Sequence, residues 1–408
     1  MNCRHCNQDL NLLLLDLGFA PPSNAYLTRE DLCRPELHLP LRLLACEHCW
    51  LVQTEDYARP EELFREDYAY FSSSSKTWRE HAACYVSAIS QQLSLGSGSF
   101  VIEVGSNDGY LLRHFLSAGI NCLGIEPTMS TALEAEKIGI SVLREFFTKS
   151  LAEQLAASGR KADLIVGNNV YAHVPNINDF TAGLAAALKS RGTVTLEFPH
   201  LKCLIEHAQF DTVYHEHFSY LSLYTASKVF GRNGLRIYDV EELSTHGGSL
   251  RVYGCHADDP RAISERVESV IADEAKFGLR SKATYLDFQQ RVDRTKDDLL
   301  AFLIDCKRSG KKVAAYGAAA KGNTLLNYAG IKRDLLPFVC DVAPSKQGKY
   351  LPGSHIEVHA PSKLIEQRPE YILILPWNLS REIAQEQRVV KTWKGQFVVA
   401  VPKLSFVE

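Results

Sequence analysis

Two Cys-x2-Cys pairs, Cys3/Cys6 and Cys46/Cys49, most tightly constrain how this chain can begin. Each pair can aim two thiolates at one point, and four such ligands complete a tetrahedral zinc site. The 39 residues between the pairs exceed a minimal zinc ribbon and predict a small β-rich insert closed by the metal. Four protein ligands leave no open position for water, so a structural zinc is expected rather than a catalytic one. His5 and His48 lie inside the pairs, but an all-cysteine set is simpler. A redox role fits poorly, because neither pair opens a helix after a strand. Cys84, Cys122, Cys203, Cys255, Cys306 and Cys340 are scattered singly and read as small hydrophobes of a reducing compartment.

The 408 residues suggest two or three domains, and an apolar fraction of 46% excludes a mainly disordered chain. With 45 Lys+Arg against 48 Asp+Glu there is no basic excess to release counterions, so no nucleic-acid partner is expected. No apolar run is long enough to span a membrane, and the Leu cluster near the start lacks a basic region before it and a cleavage site after it. A cytoplasmic protein, monomeric or weakly self-associating, is the expectation. The division expected is a zinc-binding domain over residues 1–60, a middle domain over 61–255 with a helical bridge at 61–98, and a C-terminal α/β domain over 256–408.

The stretch SFVIEVGSNDGYLLRHFLSAGINCLGIEP reads as strand, glycine turn, helix and strand. Gly105 and Gly109 permit a tight turn with close approach of backbone to ligand. Glu126 ends the second strand, where an acid can accept both ribose hydroxyls of an adenosine. The turn is E-x-G-x-x-x-G and not the dinucleotide fingerprint G-x-G-x-x-G. Acidic Glu103 and Asp108 would repel a pyrophosphate but tolerate the sulfonium and amino acid portion of S-adenosylmethionine. A further buried strand at 163–166 leads to Asn168, Asn169 and His173, at the sheet edge where open α/β folds place ligands. Glu103, Gly105, Asn107, Asp108, Glu126 and Asn168 are the expected cofactor contacts.

Tyr214, His215, Glu216 and His217 follow in a row between apolar neighbours. On a helix Tyr214 and His217 would share a face; on a strand Tyr214 and Glu216 would. A histidine beside a carboxylate suits a general base. Metal binding through H-x-H and a hydrogen-bonded core pair are the rival readings. HGGSLRVYG then gives a glycine hinge into a strand. Residues 285–309 predict one amphipathic helix, and KKVAAYGAAAKGNTLLNYAG opens a second βα unit with its helix from about Asn323. Gly317, Gly322 and Lys321 there suit an anion, or simply a packing turn of small residues.

The four cysteines, VIEVGSNDGYLL, GNNVYAHVPNINDF, YHEHFSYLSL, HGGSLRVY and YGAAAKGNTLLN together resemble, in order and over essentially the whole chain, the sugar C-methyltransferases of nucleotide-linked deoxysugar pathways. The resemblance implies a zinc-binding domain, a central Rossmann-like S-adenosylmethionine domain and a C-terminal Rossmann-like domain that helps hold a nucleotide-sugar. It implies methyl transfer to carbon 3 of a dTDP- or GDP-linked 4-keto-6-deoxysugar through an enolate. His217 matches the family's base, supported by Tyr214 and Glu216; Tyr68 and His173 match other active-site positions, and Tyr68, Lys321 and Asn323 are the expected substrate contacts. The alternatives are a nucleotide-sugar-binding scaffold without turnover and an NAD-dependent sugar dehydrogenase or epimerase.

Overall fold

The computed structural model describes residues 1–57 and 71–407; Tyr68 and the first part of the expected helical bridge lie outside them. Leucines crowd the strand Leu12–Ala20, and two irregularities in its pairing with Leu39–Ala45 turn Leu14, Leu15, Leu17 and Ala20 to the same buried side. Val52–Thr54 continues this antiparallel sheet, and its fourth strand is Ser219–Tyr220, from the middle of the chain. The buried face is not closed by the metal alone. Leu14, Leu15 and Leu43 share one apolar cluster with Tyr285, Phe288 and Val292 from the C-terminal half. The insert is therefore β-rich as expected, but it is completed by two distant stretches.

The middle of the chain forms a seven-stranded sheet in the order Leu235–Leu243, Ser249–His256, Leu188–Pro199, Ala162–Asn168, Phe100–Val104, Asn121–Ile125, Val142–Leu143. The last five in that order are parallel, and Ser249–His256 runs antiparallel to both its neighbours. The chain leaves Phe100–Val104 to one side and returns on the other, so a crevice opens at the carboxyl ends of that strand and Ala162–Asn168. The serine run forms a short 3-10 turn at Ser72–Ser74, and the helix Lys76–Gln92 follows, with the Ser75 hydroxyl accepting from Trp78 N at 3.2 Å.

The third sheet is ordered Glu357–His359, Phe338–Cys340, Val313–Tyr316, Tyr371–Ile374, Gln396–Val399, Ser405–Val407, parallel except for its last strand. It is a second Rossmann-like unit, with its crevice beside Val313–Tyr316. Two expectations need correcting. The helix expected over 285–309 is two, Lys282–Leu286 and Phe288–Arg308, joined at Asp287. The helix after the GAAAKG turn starts at Ala320, so Lys321 stands in its first turn and Asn323 inside it. No described helix is long and apolar enough to cross a membrane.

Candidate active site

One cleft of about 500 Å³ runs from the glycine turn of the middle sheet to the first turn of Ala320–Tyr328. Gly105, Asn107, Glu126 and Asn168 line one end; His173, Tyr214, Glu216 and His217 line the centre; Ala319, Ala320 and Lys321 line the other end. Three stretches expected to act together thus share one space.

At the first end the turn is built on left-handed backbone. Gly109 has φ of +76°, and a Cβ there would overlap Ile140, so the residue has to be glycine. Asn107 is also left-handed (φ +48°); its Oδ1 accepts from Ser72 N at 2.9 Å. Glu126 Oε2 accepts from Asn107 N at 2.9 Å and Oε1 from Thr128 N at 3.0 Å, so its carboxylate is held rigidly at the wall. Asn168 is buried with neither amide atom hydrogen-bonded, as a residue awaiting a polar ligand would be. These groups fit the nucleoside and amino acid parts of S-adenosylmethionine. Glu103 does not line the cleft: it is fully buried beneath it, and burial, with Asp108 and Glu126 nearby, pushes its carboxyl well above the usual range. Asp108 also lies behind the wall, where its Oδ2 accepts from Ser73 N at 3.1 Å.

In the centre, residues 214–217 form neither helix nor strand but a turn, closed by His217 N donating to Tyr214 O at 2.9 Å. The turn brings the Tyr214 and His217 rings to 4.0 Å between centroids. His217 Nδ1 lies 3.0 Å from Thr212 O; a carbonyl only accepts, so Nδ1 carries the proton and Nε2 the lone pair. Burial, then the neighbouring His173, holds the His217 pKa well below 6.5, so the ring is neutral. His173 donates Nδ1–H to Glu216 O at 2.8 Å, and burial brings its pKa down to about 4. His215 turns away from the cleft, its Nε2 3.2 Å from Pro40 O. The H-x-H pair therefore does not converge on a metal, and the only possible metal cluster among the described residues is the cysteine set.

At the far end Lys321 Nζ donates to Asn378 Oδ1 at 2.8 Å and stands 4.7 Å from the centroid of Trp377. Burial lowers the Lys321 pKa and Asp211 opposes that shift. Asn323 does not reach the cleft; its Nδ2 donates to Ser23 O at 2.6 Å.

Cys3, Cys6, Cys46 and Cys49 bring their sulfurs within 4.8 Å of one another, with Cys3–Cys49 and Cys6–Cys46 each at 3.5 Å. Zn–S bonds of ~2.3 Å in a tetrahedron place sulfurs ~3.8 Å apart, so the set fits zinc. The cluster also buttresses the cleft. Arg4 donates to Pro175 O at 2.9 Å and Thr54 O at 2.8 Å, and Asn178 Nδ2 donates to His5 O at 2.9 Å.

Two cleft residues, Asn24 and Trp78, carry no local sequence signal, and a third, His246, reads in the sequence only as the start of a glycine hinge. Asn24 arrives from the N-terminal sheet region, Trp78 from the bridge helix, and His246 from the HGG hinge. His246 has φ of +53°, accepts from Asn169 Nδ2 at 3.1 Å, and packs edge-on to Trp78 at 5.1 Å. Behind it, Glu197 is wholly buried; its oxygens accept from Thr245 Oγ1 at 2.8 Å and Arg251 Nη2 at 2.8 Å. Burial alone would raise its pKa, but His81 and Arg251 outweigh that and hold it at about 2.

Family models described as a putative zinc binding domain, a methyltransferase domain and a C-methyltransferase C-terminal domain match residues 3–64, 78–240 and 244–402. The C-methyltransferase NovU of Streptomyces niveus is 32% identical over 401 residues, covering 98% of this chain and 95% of that protein. The ubiquinone biosynthesis O-methyltransferase of Bartonella quintana is 30% identical over 96 residues, 23% of this chain and 38% of that protein. Among solved structures, the SAM-bound magnesium protoporphyrin IX methyltransferase of Synechocystis PCC 6803 aligns at 17% identity and a TM-score of 0.33, over 44% of this chain and 79% of that one.

Proposed function

Because the chain belongs to the C-methyltransferase family, as an S-adenosylmethionine-dependent enzyme with a four-cysteine zinc site, we propose that it methylates carbon 3 of a dTDP- or GDP-linked 4-keto-6-deoxysugar. In this reading residues 1–60, 61–255 and 256–408 serve as zinc, cofactor and nucleotide-sugar units. The observation that carries it is the tautomer of His217: Nδ1–H is tied to Thr212 O, the ring is neutral, and the ring lines the cleft between Asn168 and Lys321.

The 4-keto group makes the hydrogen on carbon 3 acidic. His217 Nε2 takes that proton, and the electron pair moves into the ring as an enolate, its negative charge on the former keto oxygen. S-adenosylmethionine supplies an electrophilic methyl group to which carbon 3 bonds, leaving as S-adenosylhomocysteine. Tyr214 and His173, packed on the base, fix its ring, and Glu216 supports the segment that carries it. Lys321, with its charge at the cleft's far end, suits the diphosphate of the sugar nucleotide. Positioning the carbanion within reach of the methyl supplies much of the acceleration.

The test is His217→Asn with a dTDP-linked 4-keto-6-deoxyhexose in deuterated water. Loss of both methyl transfer and deuterium uptake at carbon 3, by about 10²–10⁴-fold, with cofactor binding kept by calorimetry, is expected. Deuterium uptake at the wild-type rate would remove His217 as the base.

A further inference from the structure

The N-terminal part of the chain enters the cleft through Asn24, whose Nδ2 lies 2.8 Å from each carboxylate oxygen of Glu216. A carboxylate only accepts and an asparagine donates only through its nitrogen, so the amide's orientation is fixed by chemistry. Glu216 itself is 2% exposed, where a carboxylate without donors would be costly.

The arm that carries Asn24 is gripped from the C-terminal half. Ser23 O accepts from Asn323 Nδ2 at 2.6 Å, and Tyr26 donates its hydroxyl to Ala318 O at 2.5 Å. Ala25 N donates to Pro22 O at 3.0 Å, closing a turn that presents Asn24. Thr324, beside Asn323, donates Oγ1 to Val213 O at 2.8 Å, three residues before Glu216. One helical turn thus sets the arm and the Glu216 segment in register with each other.

Resting on the reading of Glu216 as part of the reaction centre, we propose that Asn24 is a positioning residue for methyl transfer, holding the Glu216 carboxylate in place and aimed into the cleft. Asn323 acts one step further back by seating the arm, which gives that motif residue a task away from the substrate. The strand-rich N-terminal region then contributes to turnover through a side chain and not only through its metal.

The experiment is a double-mutant cycle on the full-length, zinc-loaded protein: Asn24→Ala, Glu216→Gln and the pair, assayed with a dTDP-linked 4-keto-6-deoxyhexose. Losing a hydrogen bond to a charged group predicts a fall in kcat of about 10- to 100-fold for Asn24→Ala, with S-adenosylmethionine affinity unchanged. The double variant should be no slower than Glu216→Gln alone. Losses that multiply, or wild-type kcat in Asn24→Ala, overturn the proposal. Should Asn24→Ala fail to fold, Asn24→Ser takes its place in the cycle. A wild-type protein inert toward this sugar, in both methyl transfer and deuterium uptake, would instead count against the proposed function. Crystal structures of the Asn24 variant then decide: a displaced Glu216 carboxylate supports the positioning role, and an unmoved one overturns it.

Discussion

His173 and His217 stand with ring centroids 4.5 Å apart, and each gives its Nδ1 proton to a backbone carbonyl, of Glu216 and of Thr212 respectively. Burial depresses both rings, and a proton on His173 would put a positive charge against His217, which lowers that ring further. A base of this kind stays unprotonated well below pH 6.5. The acid limb of kcat/KM is therefore expected to fall below the range of an ordinary histidine. His173→Asn removes one source of the depression, so its limb should move up toward 6.5. A limb near 6.5 in the wild type, measured by a pH–rate profile, would contradict the neutral-pair account.

His200 behaves in the opposite sense. Burial would lower its pKa, but the Cys203 thiol and the Glu274 carboxylate, 2.8 Å from Nε2, hold it up at about 9. With an unfolded value near 6.5, this histidine stabilises the fold fully below pH 6.5, and the contribution fades as pH rises through about 9. A shift of that size corresponds to roughly 3 kcal/mol. Glu274 also accepts from Tyr224 N at 3.0 Å, so it fastens one helix to the start of another. Thermal unfolding between pH 6.5 and 9.5 should show the loss, and His200→Gln should flatten the dependence. An unflattened curve in that variant would assign the alkaline loss to other groups.

Zinc removal should weaken cofactor binding as well as stability. The knuckle residues Arg4 and His5 are bonded to Pro175 and Asn178, and Pro175 and Asn176 line the cleft. Metal analysis is expected to find one zinc per chain, absent in Cys46→Ser. That variant should unfold several degrees lower and bind S-adenosylmethionine several-fold more weakly. Unchanged affinity after complete chelation would uncouple the metal from the cleft.

Gly247→Ala should separate two halves of the site. Gly247 has φ of +88°, and a Cβ there would overlap the Trp377 ring, which itself donates to Asp211 Oδ2 at 2.7 Å. Backbone strain of this kind costs about 1–3 kcal/mol, and the displaced ring would no longer support Lys321. Kinetics should show a raised KM for the sugar nucleotide with little change in cofactor affinity. A cofactor defect instead would place the damage on the middle sheet.

The cysteine spacing, the glycine turn and the acid after the second strand were readable because each is a local pattern with one mechanical use. Local periodicity could not choose between His215 and His217. The segment is a turn, so neither a 3.6-residue nor a two-residue repeat applies, and only the carbonyls of Thr212 and Pro40 separate the two rings. Asn323 illustrates the reverse problem: a polar residue just past a glycine turn suits a ligand, yet a buried loop needed its amide. Asn24 and Trp78 were invisible, and His246 was legible only as the start of a hinge, because what joins the three is convergence from stretches far apart in the chain.

The strand Ser219–Tyr220, laid against Val52 and Gln53, has a consequence for synthesis. The ribosome releases the first fifty residues with their leucine-rich face bare, and the partners of that face, among them Tyr285, Phe288 and Leu325, come last. Metal capture can join the knuckles early, but the sheet beside them waits for Ser219–Tyr220 in mid-chain, and its apolar face for the helices that follow. A truncated product would thus expose an apolar surface at its oldest end.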